Sequence, residues 1–411
     1  MRSRKVYILG GAQTDFAQKW SSDENDIGDI MAASFAKAIQ SIDISPKDID
    51  ALHIGNFVGE LFCGQGQLGG VFVQHFPELV GIPSMRYEAA CASGSMAALG
   101  GMKDIISGHA DLVAVCGVEW MRLVNGQIAS EYLGAAAWQG HEAQDAQYPW
   151  VHLFSKIKEY YQEQYDLDDQ HLAAIAKYNY QNATKNTNAQ TRKWILGEED
   201  FGSNPELNPI IEGTLRKSDC ARITDGSATI FLASEAFTKK FAASRGIPLN
   251  SIPYIKGWGH QTAPIALAYK LDRASQNDYA FPHLRNTINQ ALQRAAIENA
   301  NGLDGIETHD CFTISEYLAI EHFGLSAPGE GWKRIEDESI TMTGALPINA
   351  SGGLIGLGHP VGATGVRMLL DAYKQVAGMA GDYQIENAQN IATLNIGGSF
   401  TTVASFVVGR S

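Results

Sequence analysis

The chain's 411 residues predict a layered α/β protein built from two similar halves, the first of them interrupted by a long insertion. Two observations carry this. Short β-branched runs alternate with longer helical patterns, as in proteins whose helices cover the faces of a sheet. Pieces of sequence also recur: Asp50 to Phe57 is echoed by Asp304 to Phe312, Ala92-Ser93-Gly94 by Ala350-Ser351-Gly352, and Asp225 to Ala228 by Gly397 to Phe400. The first two pairs lie roughly 250 to 260 positions apart and the third only about 170, so the first half carries about 85 extra residues.

Strands are predicted at Lys5 to Leu9, Ala51 to Gly55, Leu112 to Cys116, Ala228 to Ala233, Gly305 to His309, Asn390 to Asn395 and Thr402 to Val408, where apolar and β-branched residues run together. Helical spacing predicts Ile30 to Ile39, Ser93 to Ser107, Phe281 to Glu298, Ile314 to His322 and Gly362 to Val376. The halves fall at 1–120 with 221–255, and at 256–411, with the insertion at 121–220. That insertion is rich in aromatics (Tyr148-Pro149-Trp150, Phe154, Tyr160-Tyr161) and carries Lys185, Arg192 and Lys193. Such a segment suits a lid over a long ligand, aromatics lining an acyl or pantetheine arm and the three cations meeting phosphates.

Composition narrows the function. With 45% hydrophobic and 18% charged residues the chain reads as a soluble globular protein, and a net charge of -14 argues against nucleic-acid or anionic-membrane partners. Met1-Arg2-Ser3-Arg4-Lys5 resembles the start of a signal peptide, but the apolar run behind it stops at Gly10-Gly11. Gly409-Arg410-Ser411 is not a peroxisomal address. Five cysteines (Cys63, Cys91, Cys116, Cys220, Cys311), odd in number and without metal spacing, fit a reduced cytoplasmic setting and no metal site.

Cys91 stands out among them. It lies in Glu88-Ala89-Ala90-Cys91-Ala92-Ser93-Gly94, a small-residue turn running into a helix, so its sulfur is expected near a positive helix end that favours the thiolate. A thiol so placed is prepared to take an acyl group. Cys116 and Cys220 read as packed thiols, and Cys63 as a loop thiol.

Three loops then carry a resemblance. Cys91-Ala92-Ser93, His309-Asp310-Cys311-Phe312 and Gly358-His359-Pro360, in this order, resemble the thiolases along the whole chain, the sterol-carrier-protein type in particular; Cys116-Gly117-Val118-Glu119 and Thr224 to Ala228 support the match. The resemblance implies a five-layered αβαβα fold and an acyltransferase of the acetyl-CoA C-acyltransferase class. Such an enzyme cleaves 3-oxoacyl-CoA with coenzyme A, or runs the reverse condensation, through an acyl-cysteine. It holds no tightly bound cofactor and is a homodimer or homotetramer.

Carried onto this chain, the resemblance makes Cys91 the nucleophile and His359 the group that takes its proton. Cys311 becomes the acid/base, His309 and His359 the donors to an enolate oxygen, and the backbone amides of Cys91 and Gly397 an oxyanion hole. One departure matters. Many thiolases place a cysteine before the last Gly-Gly, where this chain has Asn395, whose amide does not titrate. Its expected role is orienting a neighbour or a water, with Cys311 as the substitute. His260 is expected to line the acyl pocket. Two rival readings are a carbon-carbon bond former with a non-CoA acceptor, and a subunit active only with an OB-fold partner protein.

Overall fold

The computed structural model describes residues 4–410; the expectations for Met1 to Ser3 and for Ser411 lie outside them. Nine strands among these residues form one mixed sheet. They are β1 (Val6–Gln13), β2 (Ala51–Gly55), β3 (Ser84–Tyr87), β4 (Leu112–Glu119), β5 (Gly226–Ser234), β6 (Tyr254–Thr262), β7 (Gly305–Thr308), β8 (Asn390–Gly397) and β9 (Thr402–Gly409), in the spatial order β3-β2-β4-β5-β1-β6-β9-β8-β7. The principal helices are α1 (Ile27–Ile42), α2 (Ser93–Ser107), α3 (Pro149–Tyr165), α4 (Asp169–Ala183), α5 (Pro282–Arg294), α6 (Thr313–His322) and α7 (Thr364–Ala377).

The duplication is visible in the strand pairing. In the first half β2 runs parallel to β4, β4 antiparallel to β5, and β5 antiparallel to β1. In the second half β7 runs parallel to β8, β8 antiparallel to β9, and β9 antiparallel to β6. The halves join where Tyr7 of β1 pairs with Tyr254 of β6. Helix α1 packs on β1 and β5, α5 packs on β6 and β9, and α2 and α7 pack on each other between the halves. With each half's part of the continuous sheet counted as one layer, that gives helix, sheet, helix pair, sheet, helix, consistent with the five-layer expectation.

Every predicted strand and helix is present, most of them longer than predicted. Two sheet strands went unpredicted: β3 is a short, half-exposed edge strand, Ser-Met-Arg-Tyr, and β6 breaks its β-branched pattern with Gly257 and Gly259. Those two glycines are required, since a Cβ on Gly257 would lie 1.9 Å from the Ala291 carbonyl and one on Gly259 2.0 Å from that of Thr287, both in α5.

The insertion is welded to the second half. The Phe154 ring stacks on Phe312 with centroids 4.5 Å apart, and the Tyr161 hydroxyl donates to Glu321 at 2.9 Å. Asn179, Asn182 and Asn186, on α4 and the turn after it, donate to Asp310, the Asn349 carbonyl and the Ser351 carbonyl at 2.9, 3.1 and 3.0 Å. Helix α4 is therefore a buttress behind the second-half loops.

Helices α2 and α7 approach so closely that side chains do not fit between their starts. A Cβ on Gly94 would lie 2.7 Å from the Gly362 carbonyl and 2.9 Å from the Val366 amide, and one on Gly362 would lie 2.4 Å from the Val118 carbonyl. Gly94→Ala should therefore cost about 1–3 kcal/mol through overpacking, read as a lowered denaturant midpoint at unchanged m-value. Gly70→Ala, in a helix with nothing near the added carbon, should leave the midpoint level or raise it slightly.

Candidate active site

The nucleophile turn is built from short-range bonds. Ala90 adopts a left-handed φ of 50°. Its amide donates to Glu88 at 2.6 Å, while the Ser93 hydroxyl accepts from Ala89 N–H at 2.9 Å and donates to the Ala90 carbonyl at 2.6 Å. These contacts hold Cys91 two residues ahead of α2, half-buried on the wall of a 260 Å³ cavity.

The other two loops reach the same cavity from the second half. Asp310 ties them together: its carboxylate accepts the Leu354 and Ile355 amides at 2.5 and 3.2 Å, at the start of the helical turn leading into Gly358-His359-Pro360. Glu119 performs the equivalent task at the end of β4, accepting from Asn56 Nδ2 and from the amides of Phe57, Val58 and Gly362 at 2.9 to 3.2 Å. Burial pushes the Glu119 carboxyl up to about 7, and its four N–H partners hold the ionised form.

Cys91 Sγ and one ring nitrogen each of His309 and His359 lie within 4.8 Å of one another, and the two imidazoles meet edge to face with centroids 5.2 Å apart. The hydrogen bonds assign both tautomers. Thr364 Oγ1 donates its only proton to the Pro360 carbonyl at 3.0 Å, so His359 Nδ1, 2.7 Å away, must donate to Thr364. That leaves His359 Nε2 as a bare acceptor, buried and without a partner. Asn395 is oriented by Ser95, whose hydroxyl donates to Oδ1 at 2.7 Å, and by the Cys91 carbonyl, which accepts from Nδ2 at 3.1 Å. Its Nδ2 also reaches His309 Nδ1 at 3.1 Å. His309 Nδ1 therefore accepts, and its Nε2 carries the proton.

The electrostatics differ from the expectation for Cys91. Burial first, then the Glu119 charge, push the thiol up to about 12, against the Cys91 and Gly398 amides that bond the sulfur and pull it down. Desolvation outweighs the helix end, and Cys91 rests as a thiol. Burial, then the Arg367 charge, hold His359 down to about 3. His309 is lowered by burial, then His359, then Arg367. The resting site is a neutral thiol beside two neutral imidazoles.

Cys311 and Phe312 line the same cavity; burial, then Cys91, raise the Cys311 thiol well above its ordinary value. Trp150, Phe154, Leu133 and Met121 supply apolar walls. Gly398, one residue past Gly397, lines the cavity and bonds the sulfur, while Gly397 ends β8 against the Ala89 carbonyl, 2.1 Å from where its Cβ would stand. Sequence reasoning missed Cys220 and Arg222, which also line the cavity. It missed Glu119 and Thr364 as supports, although Glu119 stands in Cys116-Gly117-Val118-Glu119, one of the stretches that carry the resemblance.

Four residues expected to bind substrate lie outside the lining of the Cys91 cavity. His260 lies in a separate groove with Tyr87, Glu88, Met96 and Lys103, on a strand that pairs with β9. Arg192 is held bidentately by Asp15 at 2.8 and 2.7 Å, which occupies its fork. Lys185 and Lys193 are exposed and outside the cavity lining. As for metals, the Cys91-His309-His359 set has soft-ion donors, whereas Asp26, Asp29 and His75 form an exposed group in which Asp26 already caps α1.

The charge states predict a pH signature. Thiol and imidazole both stay neutral between about 3 and 12, so acylation of Cys91 through His359 should be nearly pH-independent from pH 5 to 9 in single-turnover measurements. In His359→Ala the proton must leave to solvent; the rate should fall about 100- to 10,000-fold near neutrality and climb about tenfold per pH unit. An inflection near 6.5 in the unmodified protein would contradict the assignment.

Comparison with known proteins fits this geometry. The thiolase N-terminal domain family matches residues 6–196, and the thiolase C-terminal domain-like family matches residues 268–410. The chain is 30% identical over 407 residues to an acetyl-CoA acetyltransferase of Methanothermobacter thermautotrophicus, covering 99% of this chain and 100% of that one. It is 26% identical over 420 residues to sterol carrier protein 2 of Oryctolagus cuniculus, covering 98% of this chain and 72% of that protein. Among solved structures it resembles an Ltp2-ChsH2(DUF35) aldolase (TM-score 0.78, 19% identity, 99% and 98% coverage) and human mitochondrial 3-ketoacyl-CoA thiolase (TM-score 0.69, 15% identity, 99% of each chain). With both domain families matched and a full-length relative at this identity, the chain belongs to the thiolase family.

Proposed function

We propose that the protein is a thiolase-type acyltransferase that cleaves 3-oxoacyl-CoA into acyl-CoA and acetyl-CoA, or condenses them, through an acyl-Cys91 intermediate. The observation that carries this is the bare His359 Nε2 in the cluster that holds Cys91 Sγ. In thiolysis Cys91 gives its proton to His359 Nε2 and the sulfur attacks the 3-keto carbon. The Cα–Cβ bond breaks, its electron pair forming the acetyl-CoA enolate, and the acyl group stays on Cys91. The enolate carbon then takes the proton of Cys311. Coenzyme A gives its thiol proton to the Cys311 thiolate, and its sulfur attacks acyl-Cys91 and expels the Cys91 thiolate, which regains its proton from His359.

The protonated resting state of Cys311 suits its role as acid in this direction, and His309 Nε2–H suits the enolate oxygen. The apolar cavity walls fit an acyl chain. No helix among the described residues is long and apolar enough to cross a membrane, and the reading includes a cytoplasmic setting. It also includes a homo-oligomer, since β3 lies at the end of the sheet with Met85 44% exposed on it.

A second reading draws on Asn395 and on the likeness to the Ltp2-ChsH2(DUF35) aldolase, an assembly of two components: the chain would form carbon-carbon bonds on another acceptor, or act only with an OB-fold partner. Intact-mass analysis after mixing the isolated protein with acetyl-CoA distinguishes them. One acetyl group should appear and map to Cys91, and its absence would sink the main reading. Cys311→Ala should keep that label yet lose thiolysis by about 100- to 10,000-fold; unchanged turnover would favour the second reading.

A further inference from the structure

Arg222 is a cation in the wall of the cavity with no counter-charge. Among the described residues no carboxylate lies within ion-pair distance of it, in a chain with a net charge of -14. Other enclosed cations of the neighbourhood are neutralised: Arg192 by Asp15, Lys158 by Asp169 at 2.9 Å. Arg222 instead stacks on the Trp194 ring, 5.5 Å from its centroid, and its Nε is buried without a partner. The Tyr180 hydroxyl of α4 is buried beside Arg222, whose charge and N–H act on it, and among the described residues no acceptor stands within hydrogen-bond distance of its own proton.

Two orphaned donors beside one cation are costly to bury and become favourable when an oxyanion accepts from both. Trp194, 42% exposed, stacks on Tyr180 at 6.1 Å and forms the outer side of this arrangement. The group thus sits between solvent and the cavity that holds Cys91 and His359.

We propose that Arg222 and Tyr180, backed by Trp194, form an anion subsite for the thioester substrate. Its ligand is an oxyanion carried at a distance from the reacting carbonyl: a phosphate of coenzyme A, or a carboxylate at the far end of the acyl group. The proposal rests on the acyl-transfer reading for the identity of the substrate, while the subsite can be tested without turnover.

Arginine labelling by phenylglyoxal, mapped to Arg222 by peptide mass spectrometry on the unmodified protein, compares coenzyme A with pantetheine and glutaryl-CoA with pentanoyl-CoA. Protection by coenzyme A but not pantetheine identifies a phosphate. Added protection by glutaryl-CoA over pentanoyl-CoA identifies the carboxylate. Calorimetry with Arg222→Gln should show about a tenfold weaker affinity for the anion-bearing member of the discriminating pair only, with Arg222→Lys recovering part of it. Equal protection within both pairs, no protection by any ligand, or a uniform loss of affinity in Arg222→Gln would overturn the proposal. Failure of Cys91 to take an acetyl group would instead remove the acyl-transfer reading and leave the protection result standing.

Discussion

The contact between the starts of α2 and α7 is the constraint from which the site follows. Each helix begins just after a catalytic loop, Cys91 ahead of Ser93 and His359 ahead of Thr364. No side chain fits between them at Gly94, and the strands close on them as tightly, since a Cβ on Gly55 would lie 2.6 Å from Gly94 Cα and one on Gly117 would lie 2.4 Å from the Gly362 carbonyl. Two halves of a duplicated chain can share one reaction centre only if their equivalent helices meet this closely. Glu119 and Asp310 fix the result, the first gathering amides from two separate loops and the second tying its own loop to the turn that leads into His359. Charge is used here as an anchor for loops.

The same burial that makes these anchors strong decides how the reacting groups are stored. A helix end of about half a unit charge can stabilise a thiolate by only about 1–2 kcal/mol, less than desolvating the anion costs in this cavity. The thiol and the imidazoles therefore rest uncharged, and Arg367, fully buried beneath them with Glu307 and Asp371 as partners, adds to the pressure against an imidazolium. Charge separation occurs only when a substrate carbonyl is present to take it up. Water in the cavity gains little from the nucleophile before then.

Much of this was legible in the sequence because the catalytic loops are local. Cys91 with Ser93, His309 with Cys311, and Gly358 with His359 lie within a few residues of each other, and the echoes between halves gave the duplication that strand pairing repeats. What escaped depends on contacts between distant residues. Asn395 bonds the Cys91 carbonyl 304 positions away, and Arg192 meets Asp15 177 positions away. No local pattern distinguishes a cation spent on a carboxylate from one left free, so Arg192 was assigned to a ligand and Arg222 was overlooked. His260 follows the same logic: it stands on β6, and the partners of that strand set which groove it faces.

In the proposed mechanism Asn395 stands where many thiolases have a cysteine, and it takes a different part. An amide cannot move a proton, but it offers two N–H donors in fixed directions, and here one holds the nucleophile turn while the other holds His309 Nδ1. Fixing that tautomer turns His309 into a permanent hydrogen-bond donor at Nε2, which a thiol at position 395 could not do as firmly because S–H is a weak donor. In the proposed mechanism the proton-carrying duty falls to Cys311, a free thiol that lines the same cavity. Position 395 thus supplies orientation where the common pattern supplies a proton, and in the proposed mechanism the two requirements of enolate chemistry, a fixed donor and a mobile proton, are divided between two loops.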